Sequence, residues 1–316
     1  MSPYFLTTLV PIFLVSLVLA LFLTPVCRRL AHKFKILDHP SDRKVHTTVV
    51  PLLGGLALYL AFMATVFAHL AYSSDLVAVF IGGTLIFLLG FCDDKYRIRP
   101  SFKLLGQIFV AVVTVYLGVS IQFLSNPLED GFIYLGVFSS LLTVIWLVAM
   151  MNIFNLIDGL DGLSAGVAGI SALFLAIFAA MTGQLFAAAL AVALFGACLG
   201  FLRYNFYPAS IFMGDSGAMF LGYILGVISI VGVLKSTVVL SLGIPALVFG
   251  LPISDTLFAI IRRLRQKKAL HLPDKEHIHH RLLKKGFSHK KCTLILYGLS
   301  LFFGFIAFMV NELTPI

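Results

Sequence analysis

Ten long runs of apolar residues, separated by short polar segments, constrain this chain more than any other feature. Each run spans roughly 17–25 residues, the length that an α-helix needs to cross the hydrocarbon core of a bilayer. The sequence therefore predicts an all-α polytopic membrane protein, with a single domain over residues 1–316. The ten predicted transmembrane helices cover about 4–26, 51–72, 76–92, 102–121, 133–153, 163–181, 185–202, 211–233, 237–261 and 292–311.

The composition supports lipid as the main surrounding of these helices. The chain of 316 residues is 60% hydrophobic and 12% charged, whereas a soluble domain carries about 25% charged residues. The first 26 residues hold no Lys or Arg. A cleaved signal peptide needs a basic start, so the first run is predicted to be a retained helix. The four cysteines form no Cys-x-x-Cys pair, and we expect free thiols without a structural metal.

The positive charges lie almost entirely on one side of the predicted helices. When the loops are assigned alternately to the two sides, 22 of the 23 Lys and Arg residues share a side, and Lys235 is the exception. Basic loops stay in the cytoplasm, so this side is predicted to be cytoplasmic and both termini to lie outside. Charges in these loops also explain the pI of about 9.4 without nucleic acid as a partner.

Side chains that can do chemistry occur mostly on the same side. Ten of the fourteen acidic residues and eight of the nine histidines are predicted to face the cytoplasm, so an active site is expected there. The segment 262–291 holds eleven basic residues. This predicted cytoplasmic loop is long enough to be functional. The outer loops, such as 122–131, are predicted to be plain connectors.

The motif NIFNLIDGLDGLSAG, residues 152–166, places polar groups between two apolar runs. Its polar residues are spaced by three: Asn152, Asn155, Asp158 and Asp161. They cannot all face one side of a helix with 3.6 residues per turn. We expect helix five to end near Asn155, Asp158 to lie in a turn, and Asp161 to cap helix six. Gly159 and Gly162 would allow a positive φ or a close ligand. A tight turn with two capping Asp residues is the alternative.

Two further acidic motifs flank this one in sequence. Asp93 and Asp94 follow the third run, an arrangement that suits Mg²⁺ binding or proton abstraction. The alternative is a solvated helix end paired with Lys and Arg. Asp215, in IFMGDSG, lies near a predicted helix start and suits a cation together with a phosphate. The alternative is a plain helix cap. Phe212 could stack on a base or contact lipid.

Basic and imidazole side chains form two more motifs on the predicted cytoplasmic side. HIHHR contributes His277, His279, His280 and Arg281. Such a set matches a polyphosphate, and zinc binding or a lipid-headgroup patch are the alternatives. DHPSDRKVHTTVVPLLGG contributes Lys44, either to a substrate or to membrane orientation only. Asp255, the most deeply embedded acid, is expected to be structural.

Together these motifs indicate phosphoryl transfer, which uses carboxylates, a divalent cation and basic side chains. There is no GxxxxGK[ST] motif, so the chain is not a P-loop enzyme. An enzyme embedded in a membrane and open to the cytoplasm is expected to join one lipidic and one soluble substrate. A lipid or ion transporter and a metal- or lipid-binding scaffold are the alternatives. A transporter would need ionisable groups near the midplane or on both faces.

The chain resembles the polyprenyl-phosphate N-acetylhexosamine-1-phosphate transferases over nearly its full length. The matching blocks are DHPSDRKVHTTVVPLLGG, the Asp pair at 93–94, KLLGQ at 103–107, NIFNLIDGLDGLSAG, IFMGDSG and HIHHR, in that order. The HIHHR motif resembles that of the WecA/TagO-type branch of this family. That branch acts on UDP-N-acetylglucosamine (UDP-GlcNAc). The branch acting on UDP-MurNAc-pentapeptide typically has three consecutive histidines in this place.

The resemblance implies a reaction and its participants. GlcNAc-1-phosphate would pass from UDP-GlcNAc to undecaprenyl phosphate, and UMP would leave. This step starts O-antigen lipopolysaccharide, common-antigen or teichoic-acid linkage synthesis in cell wall biogenesis. Mg²⁺ would be the cofactor, with Mn²⁺ as a substitute, in a homodimer in the bacterial inner membrane. A phospho-MurNAc-pentapeptide transferase of the same family is the alternative.

The resemblance also implies a role for each matching side chain. The catalytic carboxylates would be Asp93, Asp94, Asp158 and Asp161, with Asp93 as the base toward the lipid phosphate. Asp215, together with Asp158, would bind the metal. The substrate-binding side chains would be Lys44, Lys103, Asn152, Asn155, Phe212, His277, His279, His280 and Arg281. In this set the lysines would contact phosphates, the phenyl ring would stack on uracil, and the HIHHR side chains would hold the sugar nucleotide.

Overall fold

The computed structural model describes residues 3–40, 49–125, 132–234, 243–266 and 276–313. Over these ranges most of the chain is helical, as expected for a backbone that must satisfy its own hydrogen bonds in lipid. The helices are α1 (Pro3–Lys33), α2 (Gly54–His69), α3 (Ser74–Tyr96), α4 (Pro100–Tyr116), α5 (Phe138–Ile157), α6 (Leu163–Met181), α7 (Leu185–Asn205), α8 (Gly214–Ser229), α9 (Gly243–Val248), α10 (Gly250–Arg265), α11 (Ile278–Lys284) and α12 (His289–Leu313).

Short strands and one π-helical segment complete the described elements. β1 (Leu37–Asp38) pairs antiparallel with β2 (Val50–Pro51), and β3 (Phe123–Ser125) pairs antiparallel with β4 (Phe132–Tyr134). The segment Ile230–Leu234 continues α8 as a π-helix. The β3–β4 pair adds short strands at and just after the predicted outer loop 122–131, and the prediction that this loop is a plain connector stays a prediction.

The predicted class, an all-α polytopic membrane protein, is confirmed. Within the described ranges, seven helices are long and apolar enough to cross a membrane, namely α1, α3, α5, α6, α7, α8 and α12. α2 and α4 are apolar but have 16 and 17 residues, which corresponds to about 25 Å at 1.5 Å per residue. The total of ten crossings stays a prediction.

Several helix ends differ from the predicted ones for identifiable reasons. The predicted run 237–261 holds two helices, because the backbone leaves helical geometry at Phe249 and Gly250 and Pro252 then suit a new helix start. Helix α1 extends to Lys33, since cations favour the last turn of a helix. Helix α5 begins at Phe138 rather than at 133, where β4 runs. Helix α11 lies in the segment that was predicted to be a loop.

Helix α8 lies at the centre of the molecule. Every residue from Ser216 to Ser229 is buried, and the helix packs against α3 and α5. Two glycines permit these close crossings, because a Cβ on Gly90 would meet the backbone of Ser216, and a Cβ on Gly222 would meet that of Met150. Small residues allow such packing in membranes. The start of α8 is thereby held against the ends of α3 and α5.

Candidate active site

A cavity of about 460 Å³ opens at the start of α8, where α3 and α5 end. Its lining includes carboxylates from all three acidic motifs: Asp93, Asp94, Asp158, Asp161 and Asp215. Phe212 and His280 line the same cavity. Motifs that are far apart in sequence therefore converge on one space, together with an aromatic and an imidazole ring.

Asp94 fixes the start of α8 from the neighbouring helix α3. Its Oδ1 accepts a hydrogen bond from the amide of Asp215 at 2.7 Å, and its Oδ2 accepts one from Ser216 at 3.1 Å. The first amides of a helix have no acceptor within that helix, so Asp94 acts as a cap supplied by another element. Gly214 has a φ of +70° and leaves room for this carboxylate.

Lys103 connects the acidic motifs through its ammonium group. Nζ lies 2.8 Å from Oδ2 of Asp93 and 2.6 Å from Oδ2 of Asp215, and it donates to Oδ1 of Asn155 at 3.1 Å. Nδ2 of Asn155 in turn donates to Oδ1 of Asp215 at 2.7 Å. Four helices, α3, α4, α5 and α8, thus contribute to one closed polar network beside the cavity.

Asn152 lies one turn deeper along α5, away from the cavity lining. Its Nδ2 donates to Oε1 of Gln107 at 2.7 Å and to the carbonyl of Val148 at 2.8 Å. Nε2 of Gln107 lies 3.1 Å from Sδ of Met219 on α8. Gln107 was not among the predicted site residues. Its signal was present in KLLGQ, where the spacing of four places it on the same helix face as Lys103.

Asp158 lies where α5 ends, in the predicted turn, although the helix continues to Ile157. In the described part of the chain, no group donates a hydrogen bond to its carboxylate. Burial, followed by the negative charges of Asp215, Asp94 and Asp161, raises the pKa of Asp158 well above its usual range. A cation in the cavity would stabilise the ionised form of this group.

Asp161 does not cap α6, which corrects the prediction. The N-cap position is Gly162, with a φ of +74° and no side-chain cap. Because the chain turns at this glycine, the Asp161 carboxylate points across the loop, and its Oδ2 accepts the amide of Ala209 at 2.8 Å. Asn205, which sequence reasoning missed, supports the same junction by accepting from Gly162 at 3.2 Å and donating to Ile211 at 2.9 Å.

Phe212 is held at the cavity by its backbone. Its amide donates to the carbonyl of Pro51 at 2.8 Å, and its carbonyl accepts the amide of Gly54 at 2.8 Å. These two bonds fix the residue between β2 and the start of α2. Lys44, the other predicted residue of this region, lies outside the described residues.

The HIHHR side chains differ in position. His277 and His279 are buried, at 5% and 2% exposure, whereas His280 lines the cavity and Arg281 is exposed. His279 packs directly against Gly159, where a Cβ would overlap its ring. Its Nε2 has no hydrogen-bond partner among the described residues. Burial, together with the neighbouring histidines, lowers the pKa of His279 to about 3, so its ring is neutral near pH 7.

Comparison with known proteins identifies the family to which this site belongs. A family model described as Glycosyl transferase family 4 matches residues 76–233. The chain belongs to this family. The matched part runs from α3 to α8. It contains five of the six Asp residues that line the cavity, together with Lys103 and Asn155, and the HIHHR motif follows it. This match and the relatives described next confirm the predicted resemblance, and they support a membrane enzyme that transfers a sugar phosphate.

Relatives align with this family 4 transferase over most of its length. A Bacillus subtilis protein named probable undecaprenyl-phosphate N-acetylglucosaminyl 1-phosphate transferase is 41% identical, over 96% of this chain and 85% of its own. A Mycobacterium leprae decaprenyl-phosphate N-acetylglucosaminephosphotransferase is 37% identical, over 93% and 81%. A Thermotoga maritima undecaprenyl-phosphate alpha-N-acetylglucosaminyl 1-phosphate transferase is 32% identical, over 92% and 87%.

The donor atoms of the cavity fit a hard divalent cation. Carboxylate oxygens are the ligands that Mg²⁺ prefers, and Mg²⁺ usually keeps water and takes one or two carboxylates plus substrate phosphates. Among the described residues, no three His, Cys, Asp or Glu side chains converge as a metal-binding group. Asp158 and Asp215 both line the cavity, and two carboxylates are what an open Mg²⁺ site completed by water and substrate would need.

Proposed function

We propose that this family 4 transferase moves GlcNAc-1-phosphate from UDP-GlcNAc to undecaprenyl phosphate and releases UMP. The observation that carries the proposal is the convergence of three acidic motifs at one cavity, where Lys103 pairs with two of the lining carboxylates. The name of the relative at 41% identity, which includes undecaprenyl phosphate and an N-acetylglucosaminyl 1-phosphate group, supports the choice of both substrates. The product would be the first lipid-linked intermediate of a surface polysaccharide or teichoic-acid linkage.

The reaction is a displacement at phosphorus. An oxygen of undecaprenyl phosphate attacks the β-phosphorus of UDP-GlcNAc and forms the new P–O bond. The bond from that phosphorus to the bridging oxygen breaks, and UMP leaves with the electron pair. The second pKa of a phosphate monoester is about 6, so the nucleophile is mostly ionised near pH 7. Positioning and charge stabilisation therefore matter more than a strong base.

Asp93 suits an orienting role in this reaction. Its carboxylate is 2.8 Å from Lys103 and also accepts the amide of Ile98 at 3.0 Å. A carboxylate held in this way keeps the ammonium group in place, and that group then faces the incoming phosphates. Lys103 has three donors, and Asp93, Asp215 and Asn155 accept from them, so the ammonium group would exchange one of these partners for a phosphate oxygen while it retains a carboxylate.

The remaining cavity groups would hold the sugar nucleotide and its metal. Asp158 and Asp215 would bind Mg²⁺, or Mn²⁺ in its place. When bound, such a cation offsets the negative charge of the pyrophosphate. The Phe212 ring would stack on uracil, and Asn155 would bind the nucleotide. His280 would contact the sugar-phosphate side, and the cavity would open to the cytoplasm of a bacterial inner membrane.

Release of UMP by the purified protein tests this proposal. The mixture contains undecaprenyl phosphate, Mg²⁺ and either UDP-GlcNAc or UDP-MurNAc-pentapeptide, in detergent. We expect UMP only with the lipid and UDP-GlcNAc, and none after addition of EDTA. Release with the MurNAc nucleotide instead would keep the reaction type and overturn the donor assignment. Undiminished release in EDTA would overturn the metal requirement.

A further inference from the structure

Outside the cavity, one buried acid contacts one buried imidazole. Asp255 on α10 is 6% exposed and His277, just before α11, is 5% exposed. Nδ1 of His277 lies 3.0 Å from Oδ2 of Asp255, and the amide of Ile278 donates to Oδ1 at 2.8 Å. Neither Asp255 nor His277 lines the cavity. The contact therefore needs an explanation other than direct substrate binding.

The Asp255 carboxylate serves two donors at the start of α11. The amide of Ile278 is one of the first amides of that helix, which lack acceptors within it. Since the carboxylate accepts at Oδ2, Nδ1 of His277 carries the hydrogen, and this fixes both the tautomer and the ring orientation. Both carboxylate oxygens are used, so a shift of α11 along or about its axis breaks both bonds.

A row of imidazole rings leads from this pair to the cavity. The rings of His277 and His279 stack with their centroids 5.8 Å apart and their planes 4° apart, and His279 lies 4.2 Å from His280 between centroids. His279 packs against Gly159, next to Asp158. His280 forms part of the cavity wall. Asp255 thus reaches the cavity through rigid, packed contacts.

We infer that Asp255 is a positioning residue of this transferase. Through His277 and the start of α11, it sets the position of His279 and His280 at the wall where the sugar nucleotide would bind. The inference rests on the proposed function, which assigns the sugar nucleotide to that wall. A positioning role differs from a merely structural one, because loss of Asp255 should weaken the use of UDP-GlcNAc and leave the KM for undecaprenyl phosphate unchanged.

The test compares variants of the full-length protein in detergent. Asp255→Ala and His277→Ala each remove one side of the contact. His277→Asn is the conservative variant, because an Asn amide nitrogen can occupy the place of Nδ1 as a donor. Thr65→Val is the control for lost stability alone, since the Thr65 hydroxyl is fully buried, donates to the carbonyl of Ala61 at 2.7 Å, and does not line the cavity.

Three quantities are measured for each variant: the kinetic constants for both substrates, the Tm, and the hydrogen–deuterium exchange of residues 278–284. Asp255→Ala and His277→Ala are each expected to lower kcat/KM for UDP-GlcNAc by about 10–100-fold, as is typical when a partner that orients a site ligand is removed. The KM for undecaprenyl phosphate stays unchanged. Exchange in α11 becomes faster while that in α12 does not.

Two further variants complete the expected result, namely the conservative His277→Asn and the double variant of Asp255 and His277. His277→Asn regains most of the UDP-GlcNAc activity that His277→Ala loses. The double variant Asp255→Ala/His277→Ala is no worse than either single variant, because both residues belong to one contact.

Distinct outcomes would overturn the inference. One is a wild-type kcat/KM for UDP-GlcNAc in Asp255→Ala. Another is an equal loss of kcat/KM for both substrates that follows the fall in Tm in the same way as in Thr65→Val. Absence of UMP release by the wild-type protein would overturn the proposed function itself. In that case the exchange data still decide whether Asp255 anchors α11, since unchanged exchange of residues 278–284 in Asp255→Ala would overturn the anchoring.

Discussion

At the residue scale, the ammonium group of Lys103 allows two carboxylates to lie close together. Asp93 and Asp215 are 2.8 Å and 2.6 Å from Nζ. Two carboxylates that share one ammonium group repel each other in a protein interior, and the cation between them stabilises their ionised forms. In the proposed reaction the same cation would also attract the phosphates of the substrates. Stability and activity therefore depend on one side chain.

Replacement of this lysine by an apolar residue of similar length should affect both properties. Lys103→Met removes one partner of a mostly buried network, a change that costs about 3–5 kcal/mol in typical cases. We expect a lower Tm and loss of UMP release. A second substitution, Asp93→Asn in the Lys103→Met background, should recover part of the Tm and none of the activity. A Lys103→Met protein with wild-type Tm and turnover would contradict the network.

The turn after α5 provides a second prediction at this scale. Gly159→Ala would place a methyl group into the ring of His279, which is buried and has no room to move. We expect a lower kcat/KM for UDP-GlcNAc and a lower Tm. Gly298→Ala on α12 is the matched control, because nothing lies within 4 Å of its Cβ position. Equal kinetics for the two variants would show that the close approach of His279 has no role.

The acidic residues were predictable because carboxylates near a membrane are costly and need a reason. Their individual contacts were not. Asp94 and Asp161 accept backbone amides of Asp215 and Ala209, and those partners lie far along the chain. No local pattern reveals which distant amide a carboxylate will meet. The sequence thus predicted which carboxylates would lie together better than it predicted the contacts of each one.

At the element scale, apolar runs predicted the helices well, because a backbone in lipid has few alternatives to helix. All ten predicted runs contain helix among their described residues. Helix α11 was missed since it has 7 residues and no long apolar run. Its first amide depends on Asp255, which belongs to a different helix. The β3–β4 hairpin was missed for a similar reason, because two strands of three residues leave no clear pattern.

The alignment of α4, α5 and α8 provides a prediction at the same scale. Gln107 contacts Asn152 and Met219 one turn below the Lys103 network. Gln107→Leu should lower kcat by about tenfold through misplacement of Lys103, although Gln107 does not line the cavity. Adding Asn152→Leu should restore part of the Tm, since the amide that Gln107→Leu leaves without its partner is then gone. A Gln107→Leu enzyme with wild-type kcat would argue against this alignment.

At the scale of the whole molecule, the carboxylates that line the cavity belong to segments that the sequence predicts to lie on the basic side of the membrane. The basic segments that hold 22 of 23 positive residues are the ones predicted to flank the cavity end. This asymmetry predicts a cytoplasmic cavity, which the proposed nucleotide sugar would enter from the cytoplasm and the proposed lipid substrate from the bilayer.

Thiol labelling in intact cells checks this orientation. Tyr72, before α3, and Lys95, near its end, are both exposed. In a Cys92→Ala background, Tyr72→Cys should react with a membrane-impermeant maleimide in intact cells, and Lys95→Cys should react only after permeabilisation. The reverse labelling pattern would place the cavity on the outer side and remove the basis for a cytoplasmic nucleotide substrate.

The most direct test of the central claim follows the phosphate that is transferred. UDP-GlcNAc labelled with ³²P at the β-phosphate is incubated with the protein, undecaprenyl phosphate and Mg²⁺, and the lipids are extracted. Transfer of sugar-1-phosphate predicts label in the lipid fraction and unlabelled UMP in the aqueous fraction. Label that stays in the aqueous fraction as UDP, with the sugar alone on the lipid, would contradict the account.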